Sequence, residues 1–161
     1  MVHILNTGGT FNKVYDAIKG TLVVPKNDEA VEDIVKHIRI ATSIEGIIYK
    51  DSLDMDDRDR EVLAQRVAQS KSKRVVIVHG TDTMDLSAAY LAQKRLDKIV
   101  VFTGAMIPYS IEKTEAAANL SLALYSASTH SKSGVYVAIQ GLFAPYERIY
   151  KDRERGLFCL R

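Results

Sequence analysis

A chain of 161 residues, 47% hydrophobic and 26% charged, is long enough to bury a core and too apolar to be disordered. Its formal charge of +2 lacks the strongly basic balance of a nucleic-acid binder, and no apolar run reaches the ~18 residues of a membrane span. The single cysteine, Cys159, excludes an internal disulfide; with an N-terminus that has no basic leader, it points to a reducing cytoplasm.

In chain order, the apolar run Val2–Leu5 opens as a strand and leads into Thr7-Gly8-Gly9-Thr10, two threonines around two glycines. Residues 11–24 are too polar at first for a core strand and too short for a helix, which predicts a mobile loop or hairpin starting right after Thr10. A helix is expected over 28–40 with Asp28 as its N-cap, followed by a strand at Ile44–Tyr49. The helix predicted over 57–71 runs into Lys71-Ser72-Lys73-Arg74, read as a solvated helix end where cations suit the dipole.

Next come the strand Val75–Val78 and the turn His79-Gly80-Thr81-Asp82-Thr83. In the helix predicted over 84–95, Met84, Ala88, Leu91 and Ala92 share one face. The strand Ile99–Phe102 ends in Thr103-Gly104-Ala105-Met106. Over 114–128, with Thr114 as N-cap, Ala117, Leu120, Leu124 and Ala127 form a second apolar stripe before the strand Val135–Ile139.

Short continuous apolar runs suit strands buried on both faces, and their alternation with helices implies right-handed βαβ units. The expected architecture is an open, doubly wound, mainly parallel α/β sheet with helices on both faces, Rossmann- or flavodoxin-like, in a single domain. Ligands in such sheets bind beyond the carboxyl ends of the strands. Three small, polar, glycine-containing turns converge on that edge, and Gly8, Gly9, Gly80 and Gly104 are expected to serve their backbone geometry.

Thr10 and Thr81 place hydroxyls in these turns, and Asp82 adds a carboxylate. A threonine hydroxyl needs a base or a tuned neighbour to act as a nucleophile, and a lysine can serve. The phosphate loop GxxxxGK[ST], the dinucleotide motif GxGxxG and the serine elbow GxSxG are all missing. His79, as the last strand residue, reads as a core histidine, and Met84 and Met106 read as packing residues. His3, His37, His79 and His130 form no close pair at ligand spacing, so no metal and no other cofactor is expected. Composition and spacing leave the lysine unassigned.

The segments "NTGGTF", "VVIVHGTDTM" and "VVFTGAMIP", together with "DSLDM" (51–55) and "AAANLSLAL" (116–124), resemble the bacterial-type L-asparaginases. That resemblance implies hydrolysis of L-asparagine to L-aspartate and ammonia by homo-oligomers, dimers or tetramers. It places one catalytic threonine at Thr10, supported by Tyr15 on the following loop, and the second at Thr81 beside Asp82. The lysine of its Thr-Lys-Asp set falls at Lys151, with Arg148 as the nearby alternative. Ser52 matches the serine that holds the substrate carboxylate, Asp82 helps bind the α-amino group, and Gly9 and Gly80 line the substrate with backbone.

Two departures stand out. Leu53 lies where many members carry a polar residue facing the amino acid, and the chain corresponds to the N-terminal domain, with the usual C-terminal domain absent. A glutaminase-asparaginase of broader specificity and a non-catalytic amino-acid-binding domain are the alternative readings.

Overall fold

The computed structural model describes all 161 residues. Strand β1 (Val2–Gly8) leads through a short 3-10 turn, Thr10–Asn12, into the small hairpin β2 (Val14–Asp16) and β3 (Thr21–Val23). Helix α1 (Glu29–Val35), strand β4 (Thr42–Lys50), helix α2 (Asp57–Gln69), strand β5 (Arg74–Val78) and helix α3 (Met84–Gln93) follow. Then come β6 (Ile99–Thr103), α4 (Lys113–Thr129), β7 (Gly134–Ile139), β8 (Leu142–Pro145), β9 (Ile149–Asp152) and β10 (Leu157–Leu160).

Six strands form one sheet in the order β4-β1-β5-β6-β7-β8, all parallel except β8. Alternate side chains of each strand feed opposite faces, as the pleat requires. Ile4, Val76, Val78, Val101 and Ala138 pack with α1 and α4 in one core. Leu5, Ile77, Val100, Phe102 and Ile139 pack with α2 and α3 in the other. Two buried faces explain why these strands read as continuous apolar runs, and the doubly wound α/β expectation holds.

Several local expectations change. Helix α1 stops at Val35 rather than residue 40, because the His37 and Ile38 amides tighten onto the carbonyls of Ile34 and Val35, three residues back. Asp28 does not cap that helix with its side chain; its carboxylate accepts instead from Asn6 Nδ2 (2.8 Å) and from the Tyr49 hydroxyl (3.2 Å). Thr114 lies inside α4, whose cap is Glu112, accepting from the Thr114 and Glu115 amides at 2.9 and 3.1 Å. A carboxylate there satisfies two orphan donors and complements the helix dipole.

Within the basic cluster, Lys71 and Lys73 are exposed as expected, but Arg74 turns inward. Its guanidinium donates to the carbonyls of Ala127 and His130, closing the far end of α4. Residues 11–24 take the hairpin form of the loop-or-hairpin expectation. Phe11 is fully buried at its root, and the Ser110 hydroxyl and Tyr109 amide bind the carbonyls of Lys13 and Phe11 at 2.7 and 3.2 Å.

Candidate active site

β1 bonds to β4 on one side and β5 on the other, so successive connections leave it in opposite directions. That makes the carboxyl ends of β1 and β5 the topological switch point of a flavodoxin-like sheet, where a crevice opens. The Thr7–Thr10 and His79–Thr83 turns sit there.

These two turns meet backbone to backbone. A Cβ on Gly9, whose φ is +74°, would stand 2.5 Å from both the N and Cα of Gly80, and one on Gly80 would stand 2.6 Å from the Ser52 side chain. The third turn closes in the same way, since a Cβ on Gly104 would lie 2.3 Å from the His79 carbonyl. Glycine is demanded by main-chain contact at Gly9 and Gly104 and by the Ser52 side chain at Gly80. Gly9 contributes shape and not a free donor, because its amide already donates to the Lys50 carbonyl at 2.8 Å. Thr7 ties the strands together beneath the turn, its hydroxyl donating to the Val78 carbonyl at 2.9 Å.

Lys151, near the end of β9, reaches this edge. Its Nζ donates to Thr81 Oγ1 at 2.9 Å and to Asp82 Oδ1 at 2.8 Å, with its side chain mostly covered. Arg148, the alternative, lies in the 3-10 turn before β9, where its carbonyl accepts the Arg161 amide. The hydrogen bond from Lys151 holds the Asp82 carboxyl below the usual carboxylate range; partial burial opposes this, and Arg153 reinforces it. The Thr81 hydroxyl points at Met106 Sδ, 3.5 Å away, so Met106 touches the cluster as well as packing.

The other predicted residues make no hydrogen bond to this trio and do not line its cleft. Thr10 opens the 3-10 turn, half-buried. Tyr15 lies on β2 opposite Leu22 with its ring 67% exposed. Ser52 is buried against Gly80; Thr83 donates to its carbonyl at 2.8 Å, while its own hydroxyl has no partner. A buried hydroxyl left unpaired is the kind of group a bound ligand can satisfy. Leu53, next to it, faces solvent.

Sequence reasoning missed Arg153, whose Nη1 donates to Asp82 Oδ1 at 3.0 Å and whose Nη2 donates to the Asp82 carbonyl at 2.6 Å. The signal was present. Arg153 follows Lys151 by two residues, in the turn just beyond β9, so a lysine placed at 151 brings it close to the same edge. Thr81, Asp82, Lys151, Arg153, Tyr146 and Phe158 line a cleft of about 190 Å³. A larger cleft of about 660 Å³, between Phe11, α1 and Tyr109, contains none of the predicted site residues.

His79 is the core residue it was read to be. Its Nδ1–H donates to the Gly80 carbonyl at 2.7 Å, which leaves Nε2 to accept from the Ser87 hydroxyl at 2.9 Å. Burial pushes its pKa down to about 4. The unfolded chain, titrating near 6.5, therefore takes up this proton first on acidification. Stability from this group is complete above pH ~6.5 and falls by on the order of 3 kcal/mol as pH drops through the folded value. Urea unfolding at pH 7 and pH 4.5 should show a smaller acid loss for His79→Gln than for the wild type; equal losses would remove His79 from the acid response.

Fold and site together define an α/β domain of flavodoxin-like topology with a Thr-Lys-Asp cluster at its switch point. Residues 1–156 match the family described as "Asparaginase, N-terminal", and the chain belongs to that family. It is similar to the probable periplasmic L-asparaginase of Haemophilus influenzae, 35% identical over 144 residues that cover 83% of this chain and 40% of that protein. It is also similar to a glutamyl-tRNA(Gln) amidotransferase component of Pyrobaculum aerophilum, 30% identical over 128 residues, 76% of this chain and 31% of that one. The solved structure of L-asparaginase I from Vibrio cholerae superposes with a TM-score of 0.83 at 25% identity, over 99% of this chain and 50% of that one. The chain thus spans less than half the length of these curated relatives.

Proposed function

We propose that this chain hydrolyses side-chain amides of the asparagine type, with L-asparagine giving L-aspartate and ammonia. The observation that carries the reading is the lysine bridge, Lys151 Nζ bound at once to Thr81 Oγ1 and Asp82 Oδ1. An ammonium donating to a hydroxyl oxygen stabilises negative charge developing on it, and the anionic Asp82 holds that ammonium in place.

In this reading Thr10 Oγ attacks the amide carbonyl, the C–N bond breaks, ammonia leaves with the transferred proton, and water cleaves the resulting ester. Thr81, tuned by Lys151, moves the proton or activates the water. Ser52 offers its unpaired hydroxyl to the substrate carboxylate, and Gly80 keeps the floor of the crevice at main-chain thickness. Tyr15 acts only after its hairpin closes over Thr10, a motion that would also shed water. The reading further takes the protein as a cytoplasmic homo-oligomer in which a second copy helps complete the open edge of the site.

Ammonia release from L-asparagine by the wild type, beside Thr10→Val and Thr81→Val, tests this. Each variant should lose at least about 10²-fold in kcat with its circular dichroism unchanged. Near-native rates in both would sink the assignment. The likeness to a glutamyl-tRNA(Gln) amidotransferase favours one second reading, in which glutamine-type amides are also cleaved. One methylene separates such substrates by only about 1–3 kcal/mol, so the same assay run on L-glutamine decides.

A further inference from the structure

Asn12 carries another unpaired buried polar atom, away from the Thr-Lys-Asp cluster. It is 3% exposed, lines the larger cleft of about 660 Å³, and its Oδ1 has no hydrogen-bond partner. Neighbours fix the orientation of this amide. Asn12 Nδ2 donates to Asn6 Oδ1 at 2.5 Å and to the Gly8 carbonyl at 3.3 Å, two groups that can only accept. Asn6 is fixed in turn, since its Oδ1 takes the Gly8 amide at 3.1 Å and its Nδ2 donates to Asp28 Oδ1 at 2.8 Å. The free oxygen of Asn12 is therefore turned away from β1, on the side of the cleft.

The two amides also connect that oxygen to a carboxylate. An amide that donates to an anion becomes a stronger acceptor at its oxygen, so the charge of Asp28 is passed through Asn6 to Asn12 Oδ1. Lys36 and Lys113 are both drawn to Asp33, the second at 3.5 Å, which leaves Asp28, Glu29 and Glu32 outside any ion pair. Glu29 and Glu32 line the same cleft from α1 and are exposed. The two lysines do not outweigh Asp33, Glu29 and Glu32, and the cleft is net negative. A group that completes this site must donate, and the field around it favours a cation. Phe11, Val14 and Ala30 supply apolar wall, and the volume falls in the range of small-molecule sites.

We infer that this cleft binds a small primary ammonium compound with a short apolar stem. Its N–H groups donate to Asn12 Oδ1 and to the carboxylates of Glu29 and Glu32, while the stem lies on the apolar wall. Val14, the first residue of the β2–β3 hairpin, shares that wall and shifts outward to admit the ammonium. The cleft shares no lining residue with the one beside Thr81, so this site stands whether or not the amide-hydrolase reading does.

Titration of the full chain with butylammonium, followed by nitrogen–proton correlation spectra, tests the site. Saturable shifts are expected at Asn12, at Val14 and along α1, with a Kd of about 1–10 mM for so small a ligand. Butanol and pentanoate, matched in length but without the positive charge, should bind at least about tenfold more weakly. Added salt should weaken the ammonium. Replacing both exposed acids, Glu29→Gln with Glu32→Gln, should cost about three- to tenfold in affinity. Asp28→Asn keeps an acceptor for Asn6 but removes the charge, and should cost a similar factor. Thermal melts check that each variant is folded, and the exposed glutamate pair decides the matter should Asp28→Asn unfold.

The absence of saturable shifts, shifts confined to residues outside this cleft, equal binding of butanol, or an affinity unchanged in either folded variant overturns the inference.

Discussion

Lys151→Met is expected to lower ammonia release from L-asparagine by about 10²–10⁴-fold, mostly in kcat, while the fold stays intact. Methionine matches the length of the lysine stem and can keep the covered path from β9 to the sheet edge. It removes the donor that reaches Thr81 Oγ1 and one of the two cations on Asp82. Asp82 keeps Arg153, so no uncompensated charge is created and stability should change little. The loss then reports on the polarisation of Thr81 and on little else. Steady-state kinetics with thermal melts on the same preparations check it; a kcat close to the wild type would take Lys151 out of the reaction.

Gly9→Ala should destabilise the protein by roughly 2–5 kcal/mol, combining about 1–2 for the left-handed backbone with about 1–3 for overpacking. The added methyl would stand 2.5 Å from main-chain atoms of Gly80, which cannot swing aside as a side chain could. Moving Gly80 in turn pushes on Ser52. Gly20 supplies the control, since its φ is +66° but a methyl there meets nothing within 4 Å. Gly20→Ala should therefore cost about 1–2 kcal/mol, for backbone strain alone. Equal costs in urea titrations of the two variants would show that main-chain contact at the switch point contributes nothing.

The parallel core was legible because strands buried on both faces must be apolar throughout, as in Val75–Val78 and Ile99–Phe102. The three turns were legible because main-chain contact at Gly9 and Gly104, and the Ser52 side chain against Gly80, leave room for no other residue. What stayed hidden depends on distant partners. Asp28 has the chemistry of a helix cap, but the buried Asn6 and the Tyr49 hydroxyl claim its carboxylate. Arg74 reads as the solvated tail of α2 until the carbonyl end of α4 is placed beside it.

Strands β8, β9 and β10 escaped because "LFAPYERIYKDRERGLFCL" is only half-buried. Its apolar anchors, Ile149 and Phe158, find their core only after the hairpin folds back. Lys151 came from resemblance, since no local pattern marks that lysine among so many charges. Once it is placed, Arg153 follows two residues on, in the turn beyond β9.

β9 and β10 bond to each other and to no strand of the six-stranded sheet. Thr10 and Thr81 therefore stand on a rigid slab, while Lys151 and Arg153 arrive on a separate ribbon held by Ile149, Phe158 and a bond from the Phe158 amide to Gln140 Oε1. Tied otherwise only by the Lys151 and Arg153 bonds to the turn at Thr81 and Asp82, the ribbon is expected to open at less than the free energy of global unfolding, with its amides exchanging accordingly. Two populations then need separate names: molecules that are folded, and molecules whose lysine is docked. Circular dichroism counts the first, and turnover counts the second. In the proposed reaction, any partner or ligand that clamps the ribbon should raise specific activity with no change in the sheet beneath it.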